Sequence, residues 1–410
     1  MNVLVALDKF KDSLSAHQAC EIVAEELRRL HPEWVIVSCP LADGGDGFAR
    51  ILTEAAGGQL TDVEACGPRG TRVMASVGVV EMDAVAANAR ERLAGDWEKK
   101  PAPREEAMVA GGTPAPRRLA VVEMAAASGL MLLKPEERDV WRAHTRGTGE
   151  LLAWARDDAG VDGVVLGLGG SATHDLGLGA LAALGVEFCD AGGTILEDLS
   201  PANWGRVAEV RRGAASVSGR PLLPPVCMAC DVANPLLGQD GAAAVYARQK
   251  GLRDEDFARL EAETERMGRM LCACFGYDFD RVARTPGCGA AGGIAFGLMV
   301  ACGAWLTAGF DLVSDWLRLP EHLAAADLVI TGEGRFDRSS LSGKGPGALV
   351  REAVARGKAV RVFAGRVELE SPATGVTLHE ISPRDVPLAD ALREGADYLR
   401  AAVRAAFDGV

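Results

Sequence analysis

At 410 residues the chain exceeds one ordinary hydrophobic core, and at roughly 150 residues per domain two domains are expected. With 48% apolar and 25% charged residues it has globular usage, which excludes a disordered or fibrous chain. A net charge of −13 with no local basic patch argues against nucleic-acid or anionic-membrane partners.

The chain opens on the apolar run Val3-Leu4-Val5-Ala6-Leu7, read as a first strand, with no basic segment or cleavage site before it. Nowhere does an apolar run approach the roughly 18 residues of a spanning helix, so no membrane segment is expected. After the loop Asp8 to Asp12, Ser15 and Gln18 have capping-box spacing, and Ala19, Ile22, Val23, Leu27 and Leu30 recur at helical intervals. His31-Pro32 stops that helix, a strand Trp34 to Ser38 follows, and the polar loop Asp43-Gly44-Gly45-Asp46-Gly47 comes next. Strand, helix, strand is the unit of a parallel sheet with a right-handed crossover.

Thr61 to Val80 and Leu119 to Ala126 read as strands of a more mixed sheet. Between them, Asn88 to Arg118 holds 12 charged residues and four prolines with little apolar periodicity, the pattern of a flexible surface insertion. Val226-Cys227-Met228-Ala229-Cys230 reads as a buried strand. Ten scattered cysteines fit reduced thiols in the cytoplasm, and buried small hydrophobes suit Cys227 and Cys230 better than a zinc site shared with Cys272 and Cys274. Near the C-terminus, Asp327 to Thr331 and Ala359 to Ala364 are short strands running into glycine turns. The pattern predicts a discontinuous α/β domain with a Rossmann-like parallel sheet, residues 1–62 plus 286–410, and a second α/β domain, 63–285, inserted in it.

Glycine-rich loops beyond strand ends are where an α/β protein collects ligands. The Walker pattern is absent, because Gly343-Lys344 is followed by Gly345 and Arg338 occupies the place of the first glycine. Residues 167–172 match the dinucleotide pattern G-x-G-x-x-A after an apolar run, with Glu187 and Asp190 downstream, which keeps a nucleotide-dependent oxidoreductase as the rival enzyme. A non-catalytic anion-binding protein is the third reading. The loops also carry polar groups: Ser171, Thr173, His174 and Asp175; Asp43 and Asp46; Asp231 and Asn234; Glu333, Arg335, Asp337 and Lys344. Carboxylates that hold Mg²⁺ or take a hydroxyl proton, beside cations that neutralise developing charge, are what phosphoryl transfer requires.

In chain order, the motifs are Asp8-Lys9-Phe10-Lys11-Asp12-Ser13-Leu14-Ser15-Ala16, Ala42-Asp43-Gly44-Gly45-Asp46-Gly47, Gly147-Thr148-Gly149-Glu150-Leu151, Gly169-Gly170-Ser171-Ala172-Thr173, Cys230-Asp231 with Asn234-Pro235-Leu236, Pro286-Gly287 with Gly289 to Gly293, and Ile330-Thr331-Gly332-Glu333-Gly334-Arg335 with Asp337 and Gly343-Lys344. Over nearly the whole chain this order resembles the bacterial glycerate kinases of the type without a Walker loop. Lys9 stands where serine is common, Asp46 where glutamate is usual, His174 where asparagine is usual and Ala233 where a polar residue is more frequent. The resemblance implies a two-domain α/β fold, dependence on ATP and Mg²⁺, and glycerate as phosphate acceptor. D-glycerate is the expected substrate, with 2-phosphoglycerate slightly favoured over the 3-isomer as product.

Roles follow from residue chemistry. Asp175 is the preferred base, with Asp43 and Asp231 as alternatives, while a lone His174 more often holds a loop than shuttles protons. Lys11, Arg335 and Lys344 are the cations expected to counter phosphate or carboxylate charge. Asp8, Asp43, Gly44, Gly45, Gly169, Gly170, Ser171, Thr173, Asn234, Gly332 and Gly334 are candidate substrate or nucleotide contacts, and Asp231, Glu333 and Asp337 candidate metal ligands. Oligomeric state is not set by the sequence, a homodimer being one option.

Overall fold

The structure, a computed structural model, describes residues 1–97, 117–213, 221–342, 345–369 and 374–408. It divides into two compact α/β units, a smaller one of Met1–Asp43 with Val313–Val410 and a larger one of Gly44–Leu312.

In the smaller unit five strands are all parallel: β1 (Asn2–Leu7), β2 (Val35–Ser38), β11 (Leu328–Phe336), β12 (Ala359–Val367) and β13 (Val376–Glu380), in the order β13-β12-β11-β1-β2. Renumbered within the unit this is 2-1-3-4-5, a doubly wound order whose direction reverses between β1 and β11. The crossover from β1 to β2 is the predicted helix, Ala16–Leu30, with the Ser15–Gln18 capping box formed in both directions. Ala19, Ile22, Val23 and Leu27 bury one face of it in the core with Val3, Val5 and Ile330. Its Glu26, almost fully buried, accepts from Arg29 at 3.0 Å and from Arg404 on the helix Gly395–Phe407 at 2.8 and 2.9 Å. These guanidinium bonds hold the carboxyl down at about 2 against the cost of burial.

The larger unit is built on a mixed sheet of β3 (Gln59–Cys66), β4 (Arg72–Glu81), β5 (Arg118–Glu123), β6 (Gly163–Gly167), β9 (Val226–Ala229) and β10 (Trp305–Thr307), ordered β10-β9-β6-β5-β4-β3. From β10 to β5 the pairs are parallel, and β5-β4 and β4-β3 are antiparallel. A separate antiparallel ribbon joins β7 (Val186–Cys189) to β8 (Glu209–Arg212). The strands expected at 61–80, 119–126 and 226–230 are therefore present, and Cys227 is buried as a small hydrophobe. All ten cysteines are free, and among the described residues no three His, Cys, Asp or Glu side chains gather as a metal site.

Two expectations need correction. The unit boundaries fall at 43/44 and 312/313, not at 62/63 and 285/286, because the helix Phe48–Ala55 packs on β4 and β5 and β10 completes the larger sheet. The supposed flexible insertion at 88–118 begins with a helix, Ala87–Trp97, whose Ala89 and Leu93 are buried, and it ends in the first residue of β5. Only its residues 98–116 lie outside the described residues. Excising 89–116 should therefore cost stability. Leu93→Ala alone is expected to lower unfolding free energy by about 2–4 kcal/mol in a denaturant titration, the usual scale for a cavity left by leucine.

Candidate active site

In the smaller unit the direction of the sheet reverses where Asp8 leaves β1 beside Glu333 on β11. Leu7 pairs with Gly332, and the Asp8 N–H donates to Gly332 O at 2.9 Å. On its other side Gly332 lies tight against β12: a Cβ there would fall 1.9 Å from Phe363 O. Gly334 similarly admits the backbone of Phe10 and Lys11. Burial, then the charge of Asp43 and, least, that of Glu333 push the Asp8 carboxyl up to about 7 against the N–H and charge of Lys9. Burial also raises Glu333, with Asp337 adding to the shift, and Glu333 Oε1 is a buried acceptor with no hydrogen-bond partner among the described residues. Three carboxylates thus crowd the carboxyl end of a parallel sheet. Gly345 sits beside them, a Cβ on it falling 3.7 Å from Asp8 Oδ2.

The neighbouring cations are disposed differently. Lys11 is exposed, next to the point where its backbone crosses Gly334. Arg335 is already engaged, with Nε 3.2 Å from Asp337 Oδ2 and Nη2 bonded to Glu368, so it and Asp337 neutralise one another. Lys344 and Gly343 lie outside the described residues.

In the larger unit the Gly167–Thr173 loop follows β6. Gly44 and Gly45 pack against it: Gly169 N–H donates to Gly44 O at 2.9 Å, and a Cβ on Gly169 would meet Gly45 Cα at 2.5 Å. Gly44 itself, at φ +98°, lies against Ala229 O of β9. At the start of the helix Phe48–Ala55, Glu123 accepts from the N–H groups of Gly47 and Ala49 at 3.0 and 3.4 Å. These glycines serve backbone packing first.

Asp175 lies in the interior of the larger unit. It is completely buried, with Oδ2 accepting from Thr145 N–H (2.7 Å), Thr145 Oγ1 (2.8 Å) and Gly179 N–H (3.2 Å), and Oδ1 from Gly177 N–H (3.2 Å). Burial raises its pKa against these bonds. The residue preferred as base from the sequence is a structural anchor for the loop, and its partner Thr145, thirty residues away, is what sequence reading could not supply. His174 is also buried, its Nε2 3.2 Å from Thr264 Oγ1, and burial plus the Lys250 charge lower it to about 3, so it is neutral and no proton shuttle near pH 7. Asn234 spends its amide on Asp240 O and Tyr246 OH, and Asp231 Oδ2 accepts from Phe310 N–H at 2.7 Å. Of the three candidate metal ligands, Asp231 belongs to the larger unit and Glu333 and Asp337 to the smaller.

Lys250 was missed. Fully buried, it donates from Nζ to Ser171 Oγ at 2.7 Å and Thr173 O at 2.8 Å, and burial lowers it to about 7 with Asp175 opposing. No motif surrounds it in sequence; only the fold brings it under the Gly-Gly-Ser-Ala-Thr loop.

The oxidoreductase alternative fails on context. A dinucleotide loop must open a helix in a βαβ unit, yet after Gly167 the next helix starts at Leu178, and β7, which carries Glu187, pairs with β8 outside the main sheet.

A family model described as the glycerate kinase family matches residues 3–409. The chain belongs to the glycerate kinase family. This family member is a kinase that transfers phosphate. It is 33% identical to a glycerate kinase of Bacillus subtilis (strain 168), over 98% of this chain and 96% of that one. It is 34% identical to a glycerate 2-kinase of Escherichia coli (strain K12), over 84% and 80%. A crystal structure from Salmonella typhimurium LT2, assigned as a glycerate kinase 2, aligns with TM-score 0.70 at 32% identity, covering 100% of the kinase and 97% of that chain.

Proposed function

We propose that this kinase moves the γ-phosphate of ATP onto a hydroxyl of D-glycerate, with 2-phosphoglycerate as the favoured product, in the cytoplasm. The observation that carries the reading is the crowding of Asp8, Asp43 and Glu333 at the β1–β11 reversal, where an α/β sheet collects ligands. The isomer is supported by the 2-kinase name of the Escherichia coli relative, and the compartment by ten free thiols.

Magnesium fits these residues. Glu333 Oε1 is a buried oxygen without a partner, the donors are hard carboxylates, and Mg²⁺ usually takes only one or two of them beside substrate phosphates, so a three-residue cage is not needed. Glu333 and Asp43 would hold it, and when bound it would neutralise phosphate charge. Asp8, poised near neutrality, accepts the proton of the attacking hydroxyl. Lys11 and Lys344 counter charge on the transferring group and the glycerate carboxylate. In the larger unit Gly169, Gly170, Ser171 and Thr173 contact substrate or nucleotide, with Lys250 fixing the Ser171 hydroxyl.

The test is a product assay with D-glycerate, ATP and Mg²⁺ that resolves the two phosphoglycerate isomers. The expected result is 2-phosphoglycerate, with turnover abolished by excess chelator and restored by added Mg²⁺. Undiminished turnover in chelator would remove the metal from this reading, and absence of any phosphoglycerate would remove glycerate.

A further inference from the structure

The larger unit contains a cavity of about 530 Å³ lined by four arginines, Arg69, Arg138, Arg253 and Arg259, none of which is among the candidate residues of the site described above. In a chain with net charge −13 such a concentration stands out. Three segments build it. The turn between β3 and β4 supplies Arg69, whose Nη1 donates to Glu137 O at 2.6 Å, and His144 N–H donates to Pro68 O at 3.0 Å, tying that turn to the segment that carries Arg138. Gly251, at φ +95°, lies directly against Arg138, since a Cβ there would be 2.3 Å from Arg138 O. Beneath the pocket, Val140, Ala247, Leu252 and Leu260 form a small apolar cluster against which Trp141 and Phe257 pack.

The guanidiniums are not spent on carboxylates. Arg253 is 3.6 Å from Glu255, but Arg69, Arg138 and Arg259 make no ion pair among the described residues. Arg259 instead lies over the Trp141 ring, 4.4 Å from its centroid, and Arg138 Nε is a buried donor with no hydrogen-bond partner. A buried guanidinium N–H left unsatisfied is costly, and a ligand oxyanion removes the cost. The pocket also includes Glu136, Asp139 and Asp256. Asp139 is occupied by Trp141 N–H at 3.0 Å and by Arg142, whereas Glu136 and Asp256 form no ion pair among the described residues and can accept hydrogen bonds from hydroxyls.

We propose that this pocket is a second ligand site, which takes a small phosphorylated hydroxy compound, the phosphate meeting Arg69, Arg138 and Arg259 and the hydroxyls meeting Glu136 and Asp256. The volume suits a molecule of that size. Planar guanidiniums match phosphate oxygens two at a time, which favours a phosphate over a single carboxylate.

The test is calorimetric titration of the intact protein with β-glycerophosphate, with inorganic phosphate and malonate as comparison probes. Saturable one-to-one binding of β-glycerophosphate is expected, tighter than either comparison, and weakened at least tenfold by Arg138→Gln. Arg259→Gln changes an exposed side chain and should weaken binding by a similar factor without touching the fold, while Arg248→Gln, outside the pocket, should leave it unchanged. Glycerate at saturating concentration should not displace the ligand. No binding, binding indifferent to Arg259→Gln, or full competition with glycerate would each overturn a second site. Malonate binding as tight as β-glycerophosphate would overturn the phosphate assignment.

Discussion

Replacing Asp8 with asparagine is expected to lower turnover by roughly a thousandfold, because it removes the proposed acceptor of the hydroxyl proton while keeping the shape of the side chain. In the wild type, kcat/KM should rise with pH through about 7, where Asp8 loses its proton, and the variant's residual activity should lack that limb. Stability should move the other way. With its folded value raised from 3.8 to about 7, Asp8 contributes stability below the unfolded value that is lost as pH rises through 7. At pH 8 the ionised carboxylate is therefore a cost, and Asp8→Asn should gain on the order of 2 kcal/mol in unfolding free energy, after discounting for partial exposure. A gain in stability with a loss of turnover is the signature of a strained functional carboxylate; equal turnover in both proteins would take the base role from Asp8.

Gly292→Ala should be strongly destabilising, since it combines a backbone clash with a left-handed φ. The segment Ala291-Gly292-Gly293 runs through three successive left-handed residues inside the helical stretch Ala290–Cys302. At Gly292 (φ +70°) a Cβ would lie 2.1 Å from Thr173 O and 2.5 Å from His174 Cα, both backbone atoms that cannot swing aside. A loss of about 3 kcal/mol or more is expected, with a drop of roughly 6–12 °C in Tm by thermal unfolding. Turnover should fall too, since the atoms displaced belong to the loop whose Thr173 carbonyl receives Lys250. The neighbouring change has the opposite sign. Ala291, a residue with a Cβ held at φ +54°, should gain up to about 1 kcal/mol when changed to glycine. A wild-type melting temperature for Gly292→Ala would show that the Thr173 loop can yield.

What could be read from sequence was whatever is encoded locally. The first strand, its capped helix and the second strand follow from alternation, a capping box and 3.6-residue spacing, and each is where it was expected. The glycine clusters were legible as places of close approach, and the family resemblance came from their order. Burial was not legible. Asp175 and Asp8 are both aspartates after a strand, yet Thr145 and two glycine N–H groups enclose one, while Asp43 and Glu333 crowd the other. Lys250 carries no signal because a lysine at the end of Arg248-Gln249-Lys250 reads as surface. The Ala87–Trp97 helix was hidden by the charge and proline that follow it, although Ala89 and Leu93 have helical spacing.

The placement of β1 between β2 and β11 has a consequence for the order in which the protein is made. Its partner residues Val3 and Leu328 are separated by the whole of the larger unit. At about 5–20 residues per second, the ribosome needs roughly 15–65 seconds after β1 emerges to deliver β11. During that interval the larger unit can complete its sheet, while the apolar edge of Val3, Leu4 and Val5 has only β2 beside it. The nascent smaller unit is a template in waiting, exposed to chaperones and to other nascent copies until the last quarter of the chain arrives.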